Sequence, residues 1–281
     1  DGSKLAMIVS DDSGSNSSYY HSRLEVMDVA TGARTVLSEK ASGEAMWSPD
    51  GNKILFTYPE KHGPVTVTVG LAAVIGADGS ELKILGRNYL GTLRVPRWHP
   101  DGKRLLVFDM EGVKGWLAYL SIEDDETDRI TELRIPYYLG KFYDVSDDGS
   151  RIATIRSEGL EPPQLWLIEE KLFGGSKKLT EHNSWIEGRE LPSSKIVNWT
   201  SRDGTKIEGV VLFPPGYQKG RRYPAVLVIH GGPMWAWWHG WHGSWHDWGV
   251  PLACRGYVVL LPNPRGSLGY GTGFARANFK D

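Results

Sequence analysis

The sequence predicts two fold classes in succession, an all-β repeat over residues 1–190 and an α/β fold over residues 191–281. In the first part, Asp-Gly pairs recur at intervals of about 50 residues between short apolar runs. In the second part, the apolar runs 225–229 and 257–261 lack polar alternation, as do strands that are buried on both faces of a parallel sheet. Residues 183–194 contain little periodicity and are predicted to link the two parts.

The repeat is built around Asp-Gly pairs, which predict tight turns because glycine readily adopts positive φ. The pairs begin at positions 1, 50, 101 and 148, and each is followed by a basic and then an aliphatic residue: Lys4-Leu5, Lys53-Ile54, Arg104-Leu105 and Arg151-Ile152. Further strand–turn–strand patterns join 24–29 to 34–37, 73–75 to 82–85 and 165–168 to 178–179. This period predicts a partial β-propeller of about four WD40-like/PD40 blades. Because the first copy begins inside its own hairpin, we expect further blades upstream.

The second part predicts the N-terminal portion of an α/β-hydrolase domain. Residues 195–200 and 206–213 form a predicted hairpin, and two buried strands with a crossover between them follow it. Two forms of the crossover helix are open. It either begins at the capping pair Ser244 and Asp247 and kinks at Pro251, or is short, with Pro251 in its first turn. A further helix is predicted over 272–279.

Two glycine-containing motifs follow the two buried strands. The first is His230-Gly231-Gly232-Pro233, and the second is the nine-residue sequence NPRGSLGYG that begins at Asn263. At this separation they resemble the prolyl oligopeptidase family of serine peptidases, in its acylaminoacyl-peptidase-like branch, over roughly residues 195–281. The resemblance implies hydrolysis of short peptides, including N-acylated ones, through an acyl-enzyme, with no cofactor. It also implies that the propeller covers the active site and limits the size of substrates.

The glycine pair is the candidate oxyanion-hole element. In α/β-hydrolases, the loop after this strand supplies one of the two backbone N–H groups that stabilise the tetrahedral intermediate. We expect Gly232 to be this donor, with Gly231 as the second choice; the alternative is that the pair only makes the turn. His230 precedes the expected nucleophile, which is the wrong order for the catalytic base of this fold, so we interpret it as a loop-fixing residue.

A tryptophan- and histidine-rich segment runs from Trp235 to Trp248. We interpret Trp235 as part of an aromatic wall for substrate, with packing of the segment as the alternative. Arg265 is a second candidate for substrate contact, although an ion pair that holds its loop explains it equally well. The segment also contains three closely spaced histidines: His239, His242 and His246. A metal site is not expected, since the glutamate of a zinc-peptidase HExxH motif is absent.

The Ser-Asp-His triad is not expected within these residues. The nucleophile of this fold lies in a G-x-S-x-G motif, and the nearest serine, Ser267, has Arg265 where the motif requires glycine. The sequence therefore predicts an inactive fragment that continues past Asp281 with a helix, a strand, the G-x-S-x-G motif, and then the Asp and the His. Two alternatives stay open: a propeller scaffold with a degenerate hydrolase domain, and an esterase on the same fold.

Composition narrows the possible partners. The formal net charge of −2 gives no electrostatic footprint for nucleic acid. No apolar run approaches the ~20 residues needed to cross a bilayer, so no membrane partner is expected. Cys254 is the single cysteine, which excludes an internal disulfide. We expect a short peptide substrate as the partner and a soluble protein, with the cytoplasm slightly favoured; the sequence leaves the oligomeric state open.

Overall fold

The structure is a computed structural model that describes residues 2–11, 21–60, 69–134, 142–169, 175–232, 234–244 and 247–278. Four successive sheets account for the repeat, and their strands follow one another in chain order. The first contains β1 Lys4–Ser10, β2 Ser22–Asp28 and β3 Arg34–Ser38; the second β4 Ser42–Trp47, β5 Lys53–Glu60, β6 Val69–Gly76 and β7 Lys83–Ile84. The third contains β8 Thr92–Trp98, β9 Arg104–Glu111, β10 Lys114–Ser121 and β11 Thr127–Glu132; the fourth β12 Tyr143–Val145, β13 Arg151–Arg156, β14 Gln164–Glu169 and β15 Ser176–Lys178.

A fifth sheet, here called the mixed sheet, follows a short 3-10 helix at Ser184–Ile186. Its strands are β16 Ser193–Thr200, β17 Lys206–Phe213, β18 Ala225–Leu227 and β19 Val258–Asn263, in the spatial order β16-β17-β19-β18. β16, β17 and β19 pair antiparallel, whereas β18 and β19 pair parallel. Two short helices accompany it, α1 Gly249–Ala253 and α2 Gly271–Arg276. The predicted hairpin and parallel pair are confirmed.

The Asp-Gly turns of the repeat are closed by their own hydrogen bonds. Between β4 and β5, the Ser48 hydroxyl donates to the Asp50 carboxylate at 2.6 Å, and the Gly51 N–H donates to the Ser48 carbonyl at 2.9 Å. The turn between β12 and β13 repeats this arrangement with Ser146 and Asp148. The hydrogen bonds from the serine hydroxyls lower the pKa of the Asp50 and Asp148 carboxyls, because they stabilise the charged form.

β5 shows how successive sheets stack. Ile54, Leu55 and Phe56 are consecutive and all buried. Side chains alternate along a strand, so Ile54 and Phe56 join a core with Leu24 of the first sheet, whereas Leu55 joins a core with Leu105 of the third sheet. The second sheet is therefore covered on both faces, as a propeller blade is.

The chain divides into two compact units. Unit 1 comprises Asp1–Tyr89, Leu93–Phe108 and Ala118–Asp128, and unit 2 comprises Leu90–Thr92, Asp109–Leu117 and Arg129–Asp281. Unit 2 contains the mixed sheet and its own hydrophobic core, formed by Val113, Val210, Leu212, Trp237, Trp238, Val250, Ala253, Val259 and Leu261. The ends of β9 and β10 that flank Gly112 therefore belong with the mixed sheet.

Two features of the mixed sheet differ from the expectation. β18 is not buried on both faces, since Leu227 is 55% exposed and Ile229 is 67% exposed. β18 is the last strand in the sheet order, and it pairs with β19 on one side. Of the two forms open for the crossover helix, the short one is found, with Pro251 in its first turn, where a proline is tolerated. Nowhere in the residues described above is a helix long and apolar enough to cross a bilayer.

Candidate functional site

The two sequence motifs emerge at one edge of the mixed sheet. β18 runs parallel to β19, with Leu227 opposite Leu260, and the Val228 N–H extends this ladder by donating to the Leu260 carbonyl at 2.9 Å. His230 and the glycine pair follow the carboxyl end of β18, and Asn263 ends β19. The carboxyl ends of parallel strands are where open α/β sheets bind their ligands.

Gly232 has a conformation that requires glycine. Its φ is +132°, and a Cβ there would lie 2.9 Å from the backbone nitrogen of Met234 and 3.0 Å from that of Trp235. Contacts under 3.0 Å do not occur for real Cβ atoms, so a side chain would force the loop to move. Gly231 differs, because a Cβ there would have no atom within 4 Å. The backbone geometry thus singles out Gly232.

The N–H groups of both glycines are available to a ligand. Both residues are exposed, and within the described parts of the chain neither N–H donates to a backbone carbonyl. Most backbone donors in folded proteins are paired with protein or water. Open N–H groups on a constrained turn are what an oxyanion site needs, since preorganised donors cost no rearrangement during the reaction.

His230 ties the glycine pair to the second motif. Its Nδ1 lies 3.0 Å from the Gly231 carbonyl oxygen, and its Nε2 lies 2.9 Å from the Ser267 hydroxyl oxygen. Burial lowers the pKa of His230, and its contact with Gly231 opposes that shift. Ser267 is buried, and its hydroxyl donates to the Pro264 carbonyl at 2.6 Å. The geometry gives His230 a loop-fixing position and Ser267 a structural bond.

Arg265 forms an ion pair with Asp203, which lies in the turn between β16 and β17. Its side chain keeps 30% of its surface exposed. The pair holds the second motif against the hairpin and leaves Arg265 accessible from solvent.

The tryptophan-rich segment is largely part of the core. Trp237 and Trp238 are buried, and Trp235 packs half-buried against the same core. The Trp235 ring lies 5.4 Å from that of Trp237 and 6.3 Å from that of His230. Trp235 is therefore the tryptophan of the expected aromatic wall that lies beside the glycine pair. Trp245 lies outside the described residues.

The histidines of this segment bond to separate groups. His239 Nε2 lies 2.8 Å from the Ser194 hydroxyl, and His242 Nε2 lies 2.7 Å from the Trp238 carbonyl. Burial lowers the pKa of both, to about 4 for His242. His246 lies outside the described residues, so the expectation of no metal site stays a prediction.

Three polar residues that the sequence did not single out stand close to this site: Glu208, Asn263 and Tyr270. Asn263 is fully buried and bonds to both backbone groups of Trp237. Asn263 and Tyr270 lie within the NPRGSLGYG motif, which could have drawn attention to them. Glu208 is one charged residue of a β-hairpin, and no sequence pattern distinguishes it.

No protein-family model matches the chain. Among curated proteins, it is 27% identical over 257 residues to dipeptidyl-peptidase 5 of Trichophyton equinum, covering 88% of this chain and 34% of that protein. It is 42% identical over 73 residues to a probable dipeptidyl-peptidase 5 of Emericella nidulans, covering 26% of this chain and 10% of that protein. The chain thus spans about a third of the length of the first curated relative.

Among solved structures, the chain is similar to uncomplexed acylaminoacyl peptidase of Pyrococcus horikoshii, with a TM-score of 0.76 at 19% identity, over 98% of this chain and 41% of that one. A puromycin hydrolase gives a TM-score of 0.68 at 18% identity, over 98% and 42%. These likenesses confirm the predicted fold, a run of propeller blades followed by the start of an α/β-hydrolase domain. The chain is thus similar in sequence to dipeptidyl-peptidase 5 and in fold to an acylaminoacyl peptidase and a puromycin hydrolase, over part of the length of each.

Proposed function

We propose that this chain supplies propeller blades and one half of the oxyanion hole to a serine peptidase that hydrolyses short peptides. The observation that supports this most is Gly232, whose N–H donates to no described backbone carbonyl and whose conformation only glycine adopts without strain. The reaction class is acyl transfer, in which such donors stabilise the oxyanion of the tetrahedral intermediate. The chemistry calls for no cofactor.

The geometry of the loop supports the following residue assignments. Gly232 is the leading N–H donor, and Gly231 is the second choice. Trp235 is assigned to contact the substrate beside the glycine pair, because its ring borders His230. Arg265 is assigned to contact a substrate carbonyl or carboxylate, because its side chain is 30% exposed and a guanidinium donates to either group. The domain boundary is placed at 190/191, just before β16 begins.

The substrate is proposed to be a short peptide. One group of relatives is named for dipeptides, and an acylaminoacyl peptidase structure contains the blocked peptide Z-Gly-Gly-Phe as a chloromethyl ketone. Both kinds of amino terminus are therefore included in the proposal, a free one on a dipeptide and an acylated one.

The test is a substrate panel on the complete protein that carries this sequence. We expect release of p-nitroaniline from dipeptidyl or N-acylaminoacyl p-nitroanilides, and loss of that activity with a serine-directed phosphonate. Turnover of p-nitrophenyl esters alone would favour an esterase. Failure with both substrate types would leave the scaffold alternative and would contradict the proposal.

A further inference from the structure

A hydrogen-bonded series of polar side chains connects the turn between β9 and β10 to Trp237, which ends the segment that carries the glycine pair. We propose that Glu208, Tyr270 and Asn263 are positioning residues that hold the oxyanion segment, here residues 228–232 and 234–237, in place. This inference rests on the proposed function, because positioning matters only if the segment stabilises an oxyanion. The three residues are assigned no contact with the reacting atoms, because their hydrogen bonds lead to the backbone of Trp237.

Asn263 is the residue of the three that hydrogen-bonds directly to the oxyanion segment. Its Oδ1 accepts the Trp237 N–H at 2.7 Å, and its Nδ2 donates to the Trp237 carbonyl at 2.9 Å. The side chain thus pairs with the main chain as a neighbouring strand would. Asn263 is fully buried, so water cannot substitute for these bonds without a rearrangement.

Trp237 closes the oxyanion segment into a loop. Its indole N–H donates to the Val228 carbonyl at 2.9 Å, so the residue bridges both ends of the segment. Gly231 and Gly232 lie between these ends. Inside the loop, the Trp235 carbonyl accepts the Leu268 N–H at 3.0 Å. A shift of the Trp237 backbone is therefore transmitted to the glycine pair.

Tyr270 sets the orientation of the Asn263 amide. Its hydroxyl accepts the second Nδ2 hydrogen of Asn263 at 3.0 Å and donates to Glu208 Oε2 at 3.0 Å. Burial and then the charge of Glu208 raise the pKa of Tyr270, so the hydroxyl keeps its proton. The direction of this bond is therefore fixed, and the amide of Asn263 is held in one of its two flip states.

Glu208 hydrogen-bonds to the turn between β9 and β10 and so links that turn to Tyr270 and Asn263. The same Oε2 accepts the Val113 N–H at 2.9 Å. Gly112 precedes Val113, with φ of +59°, and a Cβ there would collide with Glu208 Oε2. The Gly112 N–H donates to the Gly269 carbonyl at 2.7 Å, and a Cβ at Gly269 would lie 2.8 Å from the Gly112 carbonyl oxygen. Because Gly112 and Gly269 have no side chains, their backbones can approach closely enough for Glu208 to reach both Val113 and Tyr270.

The experiment measures catalysis and backbone exchange in the complete protein. In Tyr270→Phe and Asn263→Ala, we expect kcat on a peptide p-nitroanilide to fall about 10-fold to 100-fold, with KM within about twofold, because misplaced donors weaken the transition state alone. Amide hydrogen exchange should rise across residues 228–238. Glu208→Gln keeps an acceptor oxygen and should stay within about threefold of wild type, whereas Glu208→Ala should behave as Tyr270→Phe does.

Tyr223→Phe is the matched control. It removes one tyrosine hydroxyl that accepts a backbone N–H, that of Gln218, in an exposed turn, and should change neither kcat nor exchange at 228–238. If Tyr270→Phe and Asn263→Ala lower the melting temperature but leave kcat and that exchange unchanged, their role is structural and the inference is wrong. An inactive wild type would count against the proposed function alone, since the exchange measurement needs no turnover.

Discussion

The glycine turns of the repeated sheets and the glycine pair after β18 use the same residue type differently. In the repeat, Gly51 and Gly149 direct their N–H groups into their own turns, at 2.9 and 2.8 Å from the serine carbonyls three residues earlier. Gly231 and Gly232 donate to no backbone carbonyl in the described residues. Positive φ alone therefore does not mark a functional turn. What separates the two regions is whether the backbone N–H is already bonded.

The largest effect is expected at Gly232. In the complete protein, Gly232→Pro removes the N–H and should lower kcat about 10²-fold to 10³-fold, the usual effect of losing one oxyanion donor. Gly232→Ala is the control for distortion, because it strains the same φ but keeps the N–H. Its loss should therefore be smaller. If a folded Gly232→Pro protein has a kcat within a few-fold of wild type, the Gly232 N–H is not an oxyanion donor.

The next largest effect concerns pH, and it separates the two regions by how acid changes the stability that each contributes. His242 is buried, and its pKa is lowered from 6.5 to about 4. The unfolded chain takes up its proton near pH 6.5 and the folded chain only near pH 4, so stability falls as the pH drops between these values. The loss is up to about 3 kcal/mol. In the repeat, the pKa of Asp50 is lowered, so the stability that this residue contributes is lost only as the pH falls below the usual aspartate range.

Urea unfolding at pH 7, 6, 5 and 4 measures this loss. His242→Gln keeps an N–H for the Trp238 carbonyl and has no proton to gain, so its free energy of unfolding should vary less over this range. Equal pH profiles for wild type and His242→Gln would show that the buried imidazole does not control acid stability.

A smaller effect is expected at Gly51. Its φ is +73°, and a Cβ would meet no atom within 4 Å, so Gly51→Ala costs only the conformational penalty of about 1 kcal/mol. Thermal unfolding should show this loss, while kcat per folded molecule stays at the wild-type value. A drop in kcat without a change in stability would mean that the turns of the repeat are not purely structural.

The smallest effect is expected at the Arg265–Asp203 pair. Both side chains are partly exposed, so breaking the pair should change stability by less than about 1 kcal/mol. The two partners should differ in binding. If Arg265 contacts substrate, Arg265→Met raises KM several-fold and Asp203→Asn does not. Equal KM values for both variants and wild type would remove Arg265 from the substrate site.

Local signals predicted most of the fold. The Asp-Gly turns and the hairpin around Gly204 depend on residues close together in the sequence, and the parallel pair depends on two distinct apolar runs. All of them lie where the sequence places them. The exposure of β18 was not predicted. An apolar run specifies a strand, but its burial depends on which elements pack against it, and Leu227 and Ile229 receive no such cover within the described chain.

The candidate site was predictable in part. The glycine pair has a motif, and its position after a parallel strand follows from topology. The bond between Glu208 and Val113 joins residues 95 positions apart, and neither lies in a recognisable pattern. Asn263 and Tyr270 could be seen as members of a motif. Their roles could not, because those roles depend on which backbone groups the fold brings beside them.

The bond between Val113 and Glu208 also has a consequence for the order in which the chain folds during synthesis. On the ribosome, the turn at Gly112 emerges about 95 residues before its partner, a delay of roughly 5 to 20 s at common elongation rates. During that interval β9 and β10 have been made, but the Val113 N–H has no carboxylate to meet. The backbone pairing of β9 with β10 does not depend on Glu208, so the hairpin folds first and its turn gains this bond only once β17 has been made. Residues 1–190 alone lack the Glu208 acceptor.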